Sequence, residues 1–158
     1  LGEVEQQDEK PVSASAFLSG NVFADSASIG GAFYSQSQLV YDAEKKAILD
    51  AAAKGGCVII GRCADYVLDG TEGLIRVFLY ADIKVREERV RERNLYADKD
   101  VLKNIHRIDR ERRDYNRYYA GRDWEKPENY DLLINTTQIG VDGSVQLIKD
   151  YLKMRGLL

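Results

Sequence analysis

Arg62 is the side chain best placed for chemistry. It follows Cys57-Val58-Ile59-Ile60-Gly61, a short apolar and β-branched run that reads as a strand buried on both faces. An arginine just past the carboxyl end of such a strand faces the crevice where α/β sheets hold ligands. Its guanidinium gives bidentate bonds to phosphate or carboxylate. The same position also suits an arginine that caps a helix or pairs with a structural carboxylate. A second set is Asp109-Arg110-Glu111-Arg112-Arg113. Asp109 and Arg112 are three residues apart and share a helix face. One reading is a solvated ion pair worth ~0–1 kcal/mol. The other is a clamp in which Asp109 accepts from an exocyclic amine and Arg112 grips a phosphate. The third set is Arg86, Arg89 and Arg93, whose three- and four-residue steps line them along one helix face. Glu87, Glu88 and Glu92 sit among them, so internal pairing competes with a mobile arginine-bearing helix that closes over phosphates.

These residues need elements to hold them. Leu39, Val40, Ala43, Ala47, Ile48, Ala51 and Ala52 recur at helical steps until Gly55-Gly56, which predicts an amphipathic helix. The strand over 57–61 comes next, then a short helix from Ala64 to Leu68. Leu74 to Tyr80 reads as a second buried strand. Asp82 caps a helix from Ile83 to about Arg93. After a polar break at 94–98, a long helix runs from about Lys99 to Ala120, with Val101, Leu102, Ile105 and Ile108 inward and Gly121 ending it. Asp131 to Ile134 is a third strand. Asp142 opens a last helix with Val145, Ile148 and Leu152 inward, closed by Gly156. Strands alternating with helices predict an α/β fold, a parallel sheet covered on both faces in three layers. Its ligand edge would carry Gly61-Arg62, Ala81-Asp82 and Asn135-Thr136-Thr137. Residues 1–36, poor in periodicity and rich in Ser, Ala and Gly after an acidic start, read as irregular and mobile. All of residues 1–158 are expected to form a single domain.

Composition narrows the field. The chain has 158 residues, 44% hydrophobic and 31% charged, which fits an ordinary globular domain. No apolar run approaches the roughly 20 residues of a membrane span. Net charge is −3, so bulk charge does not hold the chain to nucleic acid. Residues 84–117 nevertheless hold twelve Lys/Arg against eight Asp/Glu, a local +4 that points to a small anionic ligand. His106 is the sole histidine, which strains any catalytic triad or histidine metal cluster. No metal-ligating set is expected. Cys57 and Cys63 form no C-x-x-C pair and point to a reducing, cytoplasmic setting. Cys57 reads as core, and Arg62 beside Cys63 is a reason for a lowered thiol pKa. No G-x-x-x-x-G-K-[ST] occurs. Tyr115, Tyr118 and Tyr119 read as packing.

Together the motifs resemble the cytidylate kinase-like family. They are Val58-Ile59-Ile60 followed by Gly-Arg-Cys-Ala-Asp-Tyr-Val-Leu (61–68), Val77 to Asp82, Asp109-x-x-Arg112 with Tyr118-Tyr119, Trp124, Asn129-Tyr130-Asp131-Leu132 and Asn135-Thr136. The series covers about residues 36–153. The resemblance implies a P-loop nucleoside monophosphate kinase fold that moves the ATP γ-phosphoryl to CMP, dCMP or a similar small phosphate acceptor, with Mg²⁺. It implies that Arg62, Asp109 and Arg112 bind the acceptor, and that Arg89 and Arg93 serve the transferring phosphoryl group. Arg86, Asn135 and Thr136 would then border ATP. Partners are small nucleotides, with neither nucleic acid nor membrane. Cytidylate kinases carry Gly-Arg-Asp where this chain has Gly61-Arg62-Cys63, which removes one contact on the cytosine or ribose side. The family's phosphate loop lies in a first strand–loop–helix unit of ~30 residues or more. The chain opens at Leu1 with its only methionine at Met154. That unit is therefore expected to be missing, and the sheet one strand short. An alternative follows: a catalytically inactive nucleotide-binding or interaction module of the same fold.

Overall fold

The computed structural model describes residues 36–158. The expectation of an irregular 1–36 falls almost wholly outside them. The described elements are helix α1 (Gln36–Ala53), a short helix α2 (Ala64–Val67), strand β1 (Val77–Tyr80) and helix α3 (Ile83–Glu92). They continue with α4 (Val101–Ala120), strand β2 (Leu132–Asn135) and α5 (Thr136–Met154). Single 3₁₀ turns at Asp98–Asp100 and Pro127–Asn129 lead into α4 and β2.

β1 and β2 are parallel, with Val77 opposite Leu132 and Tyr80 opposite Asn135. A charge pair fixes that register. Arg76 and Asp131 each stand one residue before their strand. The Asp131 carboxylate accepts from the Arg76 backbone N–H at 2.7 Å and from its guanidinium at 3.2 and 3.3 Å. Burial pushes the Asp131 pKa up, but these bonds and the Arg76 charge outweigh it and hold the carboxyl below its usual range. A one-residue slip would turn every side chain of the strand over and break this pair.

The parallel sheet with helices agrees with the expected α/β class, but it has two strands among the described residues, not three in a covered layer. The run from Cys57 to Ile60 forms no strand and pairs with no described segment. Val58 is 92% and Ile60 82% exposed, and Cys57 is exposed as well. A β-branched sequence favours extended backbone, but a strand also needs a neighbour to take its N–H and C=O groups. No described segment supplies one. Ile59 alone turns inward, against the cluster of Ile48, Ala64 and Leu68.

The helices follow their capping signals more closely than their apolar stripes. Gly121 ends α4 in the left-handed conformation, its N–H bonded to the Arg117 carbonyl. In α4, Val101 and Ile105 are buried, while Leu102 is exposed. In α1, Tyr41 and Ile48, two turns apart, face inward, and Leu39 and Val40 are exposed. The stripe is therefore centred on 41, 44 and 48 and not on 39 and 40. The last helix begins six residues before Asp142. The Asn135 side chain accepts from the Thr137 N–H at 2.9 Å and caps it. Gly140 then breaks the helical geometry, so the periodicity that begins at Asp142 belongs to its second half. Val145 is exposed, and Ser144 is the buried residue there.

Candidate functional site

The turn after the extended segment carries the backbone's most unusual geometry. Gly61, Arg62 and Cys63 have φ of +72°, +55° and +53°. Glycine adopts this conformation freely, but arginine and cysteine each store strain of order 1 kcal/mol or more in it. Two such residues in succession place the Arg62 side chain on the outside of the turn and tuck Cys63 inside, at 2% exposure. Asp65, in the first turn of α2, pairs with Arg122 just beyond the end of α4. Arg122 also lies over the Tyr66 ring at 5.6 Å. The turn is thus tied to α4 from both sides.

Arg62 packs onto α4 and α1 together. Its guanidinium carbon is 5.7 Å from the centre of the Tyr115 ring, and its Nε is 3.3 Å from Glu44 Oε1. Asp109, Arg112 and Tyr115 are successive three-residue steps on α4. At 1.5 Å of rise per residue, Asp109 and Tyr115 are about 9 Å apart along the axis. Six residues are also about 600° of turn, so Arg62 on Tyr115 and Asp109 lie roughly 120° apart around α4, with exposed Arg112 between them in angle. No side-chain contact joins the three directly.

Asp109 is engaged from the opposite side. Both its oxygens accept from Arg86 of α3, at 2.8 and 2.7 Å. Asp109 and Arg112 are not paired with each other. Arg89, one turn on from Arg86, donates to the Thr136 hydroxyl at 2.8 Å and to its carbonyl at 2.9 Å. Thr136 is buried, and the neighbouring Thr137 hydroxyl accepts from the Asp82 N–H at 2.8 Å. The ends of the two strands are thereby fastened together. Asn135 is the cap of α5 described above. Arg86, Arg89, Val90 and Arg93 line a shallow groove of about 180 Å³. Arg93 is exposed and its side chain makes no ion pair or hydrogen bond among the described residues.

Burial pushes the Cys63 thiol up to about 12, and the nearby Asp65 carboxylate adds to that more than the Arg122 charge relieves it. The expected activation by the adjacent Arg62 is corrected by this placement: the guanidinium points away and the sulfur is desolvated. Tyr115 and Tyr119 pack, with Tyr41 stacked on Tyr119 at 4.0 Å and Tyr115 against Tyr119 at 4.6 Å, while Tyr118 edges Tyr119 and stays 66% exposed. Sequence reasoning passed over Glu44 and Tyr115 as partners of Arg62. The signal for Glu44 was its place on the α1 face shared with Tyr41 and Ile48.

With this geometry in place, likeness to known proteins can be weighed. The profile of the cytidylate kinase-like family matches residues 2–138. The chain belongs to that family. It is 31% identical over 103 residues to a cytidylate kinase of Pyrococcus horikoshii, covering 64% of this chain and 52% of that protein. The chain thus spans about half the length of this curated relative. The crystal structure of an uncharacterized protein from Eubacterium ventriosum superimposes with a TM-score of 0.70 at 26% identity, covering 77% of this chain and 69% of that one. Among the described residues, no helix is long and apolar enough to cross a membrane.

Proposed function

We propose that this protein acts as a nucleoside monophosphate kinase of the cytidylate type, moving the γ-phosphoryl of ATP to CMP, dCMP or a similar small phosphate acceptor. The observation that carries the reading is the strained Gly61-Arg62-Cys63 turn, which sets a half-exposed guanidinium against the helix that bears Asp109 and Arg112. Backbone strain of this kind persists where the surrounding structure over-determines it, and that is commonest at ligand sites.

In this reading Arg62 and Arg112 meet the acceptor's phosphate. Asp109 accepts from the exocyclic amine of the base. Its two oxygens offer about four lone-pair directions, so it can keep Arg86 and still accept. Arg86, which the resemblance put beside ATP, has both terminal nitrogens on Asp109 and in this reading acts through it on the acceptor side instead. An oxygen of the acceptor phosphate forms the new bond to the γ-phosphorus as the bond to the β,γ-bridging oxygen breaks, and ADP leaves with that electron pair. Arg93 faces the charge that spreads over the transferring group, while Arg89, expected from the resemblance to do the same, donates with both terminal nitrogens to Thr136 and fixes α3 beside it. Asn135 and Thr136 border the nucleotide donor. No three His, Cys, Asp or Glu side chains converge on a metal site among the described residues. Mg²⁺ would be carried on the nucleotide's phosphate oxygens and water and would supply charge neutralisation at the phosphates. A three-layer P-loop architecture for the whole protein belongs to the same proposal.

Because Cys63 is buried where the family's cytidylate kinases carry Asp, the base side of the proposed acceptor site has one carboxylate fewer. This observation favours a wider acceptor range, so the test is a panel. ADP release by the intact protein with ATP and Mg²⁺ is expected to rise on adding CMP or dCMP. No stimulation by any pyrimidine or purine monophosphate would overturn the kinase reading. The second reading, an inactive nucleotide-binding module, draws on Cys63, a buried thiol where the family's cytidylate kinases carry Asp. It predicts CMP binding in calorimetry without ADP release.

A further inference from the structure

Arg62 is held on two sides. The Glu44 carboxylate reaches it across the space between α1 and the turn, with Oε1 3.3 Å from Arg62 Nε. The other oxygen, Oε2, accepts from the Tyr115 hydroxyl at 2.8 Å. The Tyr115 ring lies under the guanidinium, so one tyrosine fixes the carboxylate with its hydroxyl and the arginine with its face. Tyr115 has little freedom of its own: it packs against Tyr119 at 4.6 Å and meets Tyr41 edge-on at 6.5 Å. Burial, and then the bond to Glu44, raise its pKa well above the ordinary phenol value, so it stays a donor at any physiological pH.

The contact on Arg62 is at its Nε edge. The two terminal nitrogens, Nη1 and Nη2, make no hydrogen bond to any described residue, and the side chain is 42% exposed. We propose that Glu44 and Tyr115 are positioning residues, which grip Arg62 by its Nε edge and ring face so that the Nη1/Nη2 fork is presented end-on to the acceptor's phosphate. This rests on the acceptor role given to Arg62 above. A free arginine loses much of its rotamer freedom when it binds an anion. Here that loss has been taken on folding, and the binding step is spared it.

Two variants test this at constant charge. Tyr115→Phe keeps the ring and removes the hydroxyl, while Glu44→Asp withdraws the carboxylate by one methylene. Calorimetry of CMP and of cytidine, which lacks the phosphate, is run on wild type and both variants. CMP affinity is expected to fall about three- to tenfold, the freedom of one re-mobilised side chain, with cytidine unchanged. A merely structural role would weaken both ligands alike. Equal losses on the two ligands, or no loss on either, would overturn the proposal. Without ligand, the ¹⁵N–¹H signal of Arg62 Nε, assigned through Arg62→Lys, is expected to shift in both variants; an unmoved signal would overturn it too. Inorganic phosphate separates this inference from its parent. Phosphate binding that needs Arg62 and Tyr115, with no CMP binding, would sink the cytidylate reading and leave the positioning role standing. Binding of neither ligand by the wild type would sink both.

Discussion

The Arg86–Asp109 pair offers the sharpest test of how the site is built. Two N–H···O bonds of 2.8 and 2.7 Å join side chains that are 33% and 16% exposed. An exposed pair is worth ~0–1 kcal/mol, and removing one partner of a fully buried pair costs ~3–5 kcal/mol. This pair lies between those limits, nearer the exposed one on the arginine side. Arg86→Ala leaves the Asp109 charge mostly shielded from water and is expected to cost about 2 kcal/mol, or about 4–8 °C in Tm for a chain of this size. A double-mutant cycle over Arg86→Ala and Asp109→Ala, read by urea denaturation, is expected to give a coupling of about 1–2 kcal/mol. The kinetic arm is more specific. If Arg86 acts through Asp109, Arg86→Ala raises KM for CMP about tenfold and changes KM for ATP less than about twofold, the larger figure being a loss of ~1.4 kcal/mol at the acceptor alone. A coupling under about 0.3 kcal/mol would mean two independent surface charges. A rise confined to the KM for ATP would move Arg86 to the donor side and refute the reasoning.

Further outcomes follow from the same geometry. Arg62→Ala and Arg112→Ala are expected to abolish acceptor binding in calorimetry, while Arg117→Ala, an exposed partner of Asp123, leaves it unchanged; equal losses in all three would discredit the assignment. Thiol labelling of the native protein is expected to modify exposed Cys57 and spare buried Cys63, which mass spectrometry of peptides would show. The Cys63 thiol is held neutral up to about 12 when folded and ionises near 9.0 when free of the fold. The unfolded chain therefore binds fewer protons between those values, and stability falls as pH rises through that window. Cys63→Ala is expected to flatten the slope between pH 9 and about 12, by up to ~1.4 kcal/mol per pH unit. Above pH 10, Tyr119 and Tyr130, each raised to about 12 chiefly by burial, add to the decline. Asn135→Ala removes the cap of α5 and is expected to cost about 1 kcal/mol, measured by thermal denaturation.

How much of this was legible depends on where each signal lives. Helix ends are local: Gly121 and Gly55-Gly56 mark two of them, and Asp82 stands just before α3, although its side chain makes no capping hydrogen bond. Strand status is not local. Val58 and Ile60 carry the same β-branched chemistry as Val77 and Ile134, yet among the described residues only the latter two have a strand to pair with. Register was within reach, since Arg76 and Asp131 are opposite charges one residue before two apolar runs, and a parallel pair brings such positions together. The site divides in the same way. The types at Arg62 and Arg112 advertise anion binding and Asp109 a hydrogen-bond acceptor, and spacing puts Asp109 and Arg112 on one helix. Their partners come from elements far away in the chain, Glu44 from α1 and Arg86 from α3, and no spacing rule reports a contact across 18 or 23 residues.

The arginines of α3 show why a shared helix face does not mean a shared role. From the spacing alone, Arg86, Arg89 and Arg93 form one cationic stripe that would move as a body. The structure gives each a different attachment. Arg86 is locked to α4 through Asp109, and Arg89 is locked to the junction of β2 and α5 through Thr136. Arg93, in the residue after the helix, has neither kind of tie. Two charge-assisted anchors one turn apart cost far more to break than an exposed arginine costs to swing. The body of α3 therefore belongs to the scaffold. Any closing movement over phosphates starts at Arg93 and runs into the segment beyond it, where Asn94 has a φ of +51° and the chain turns before α4.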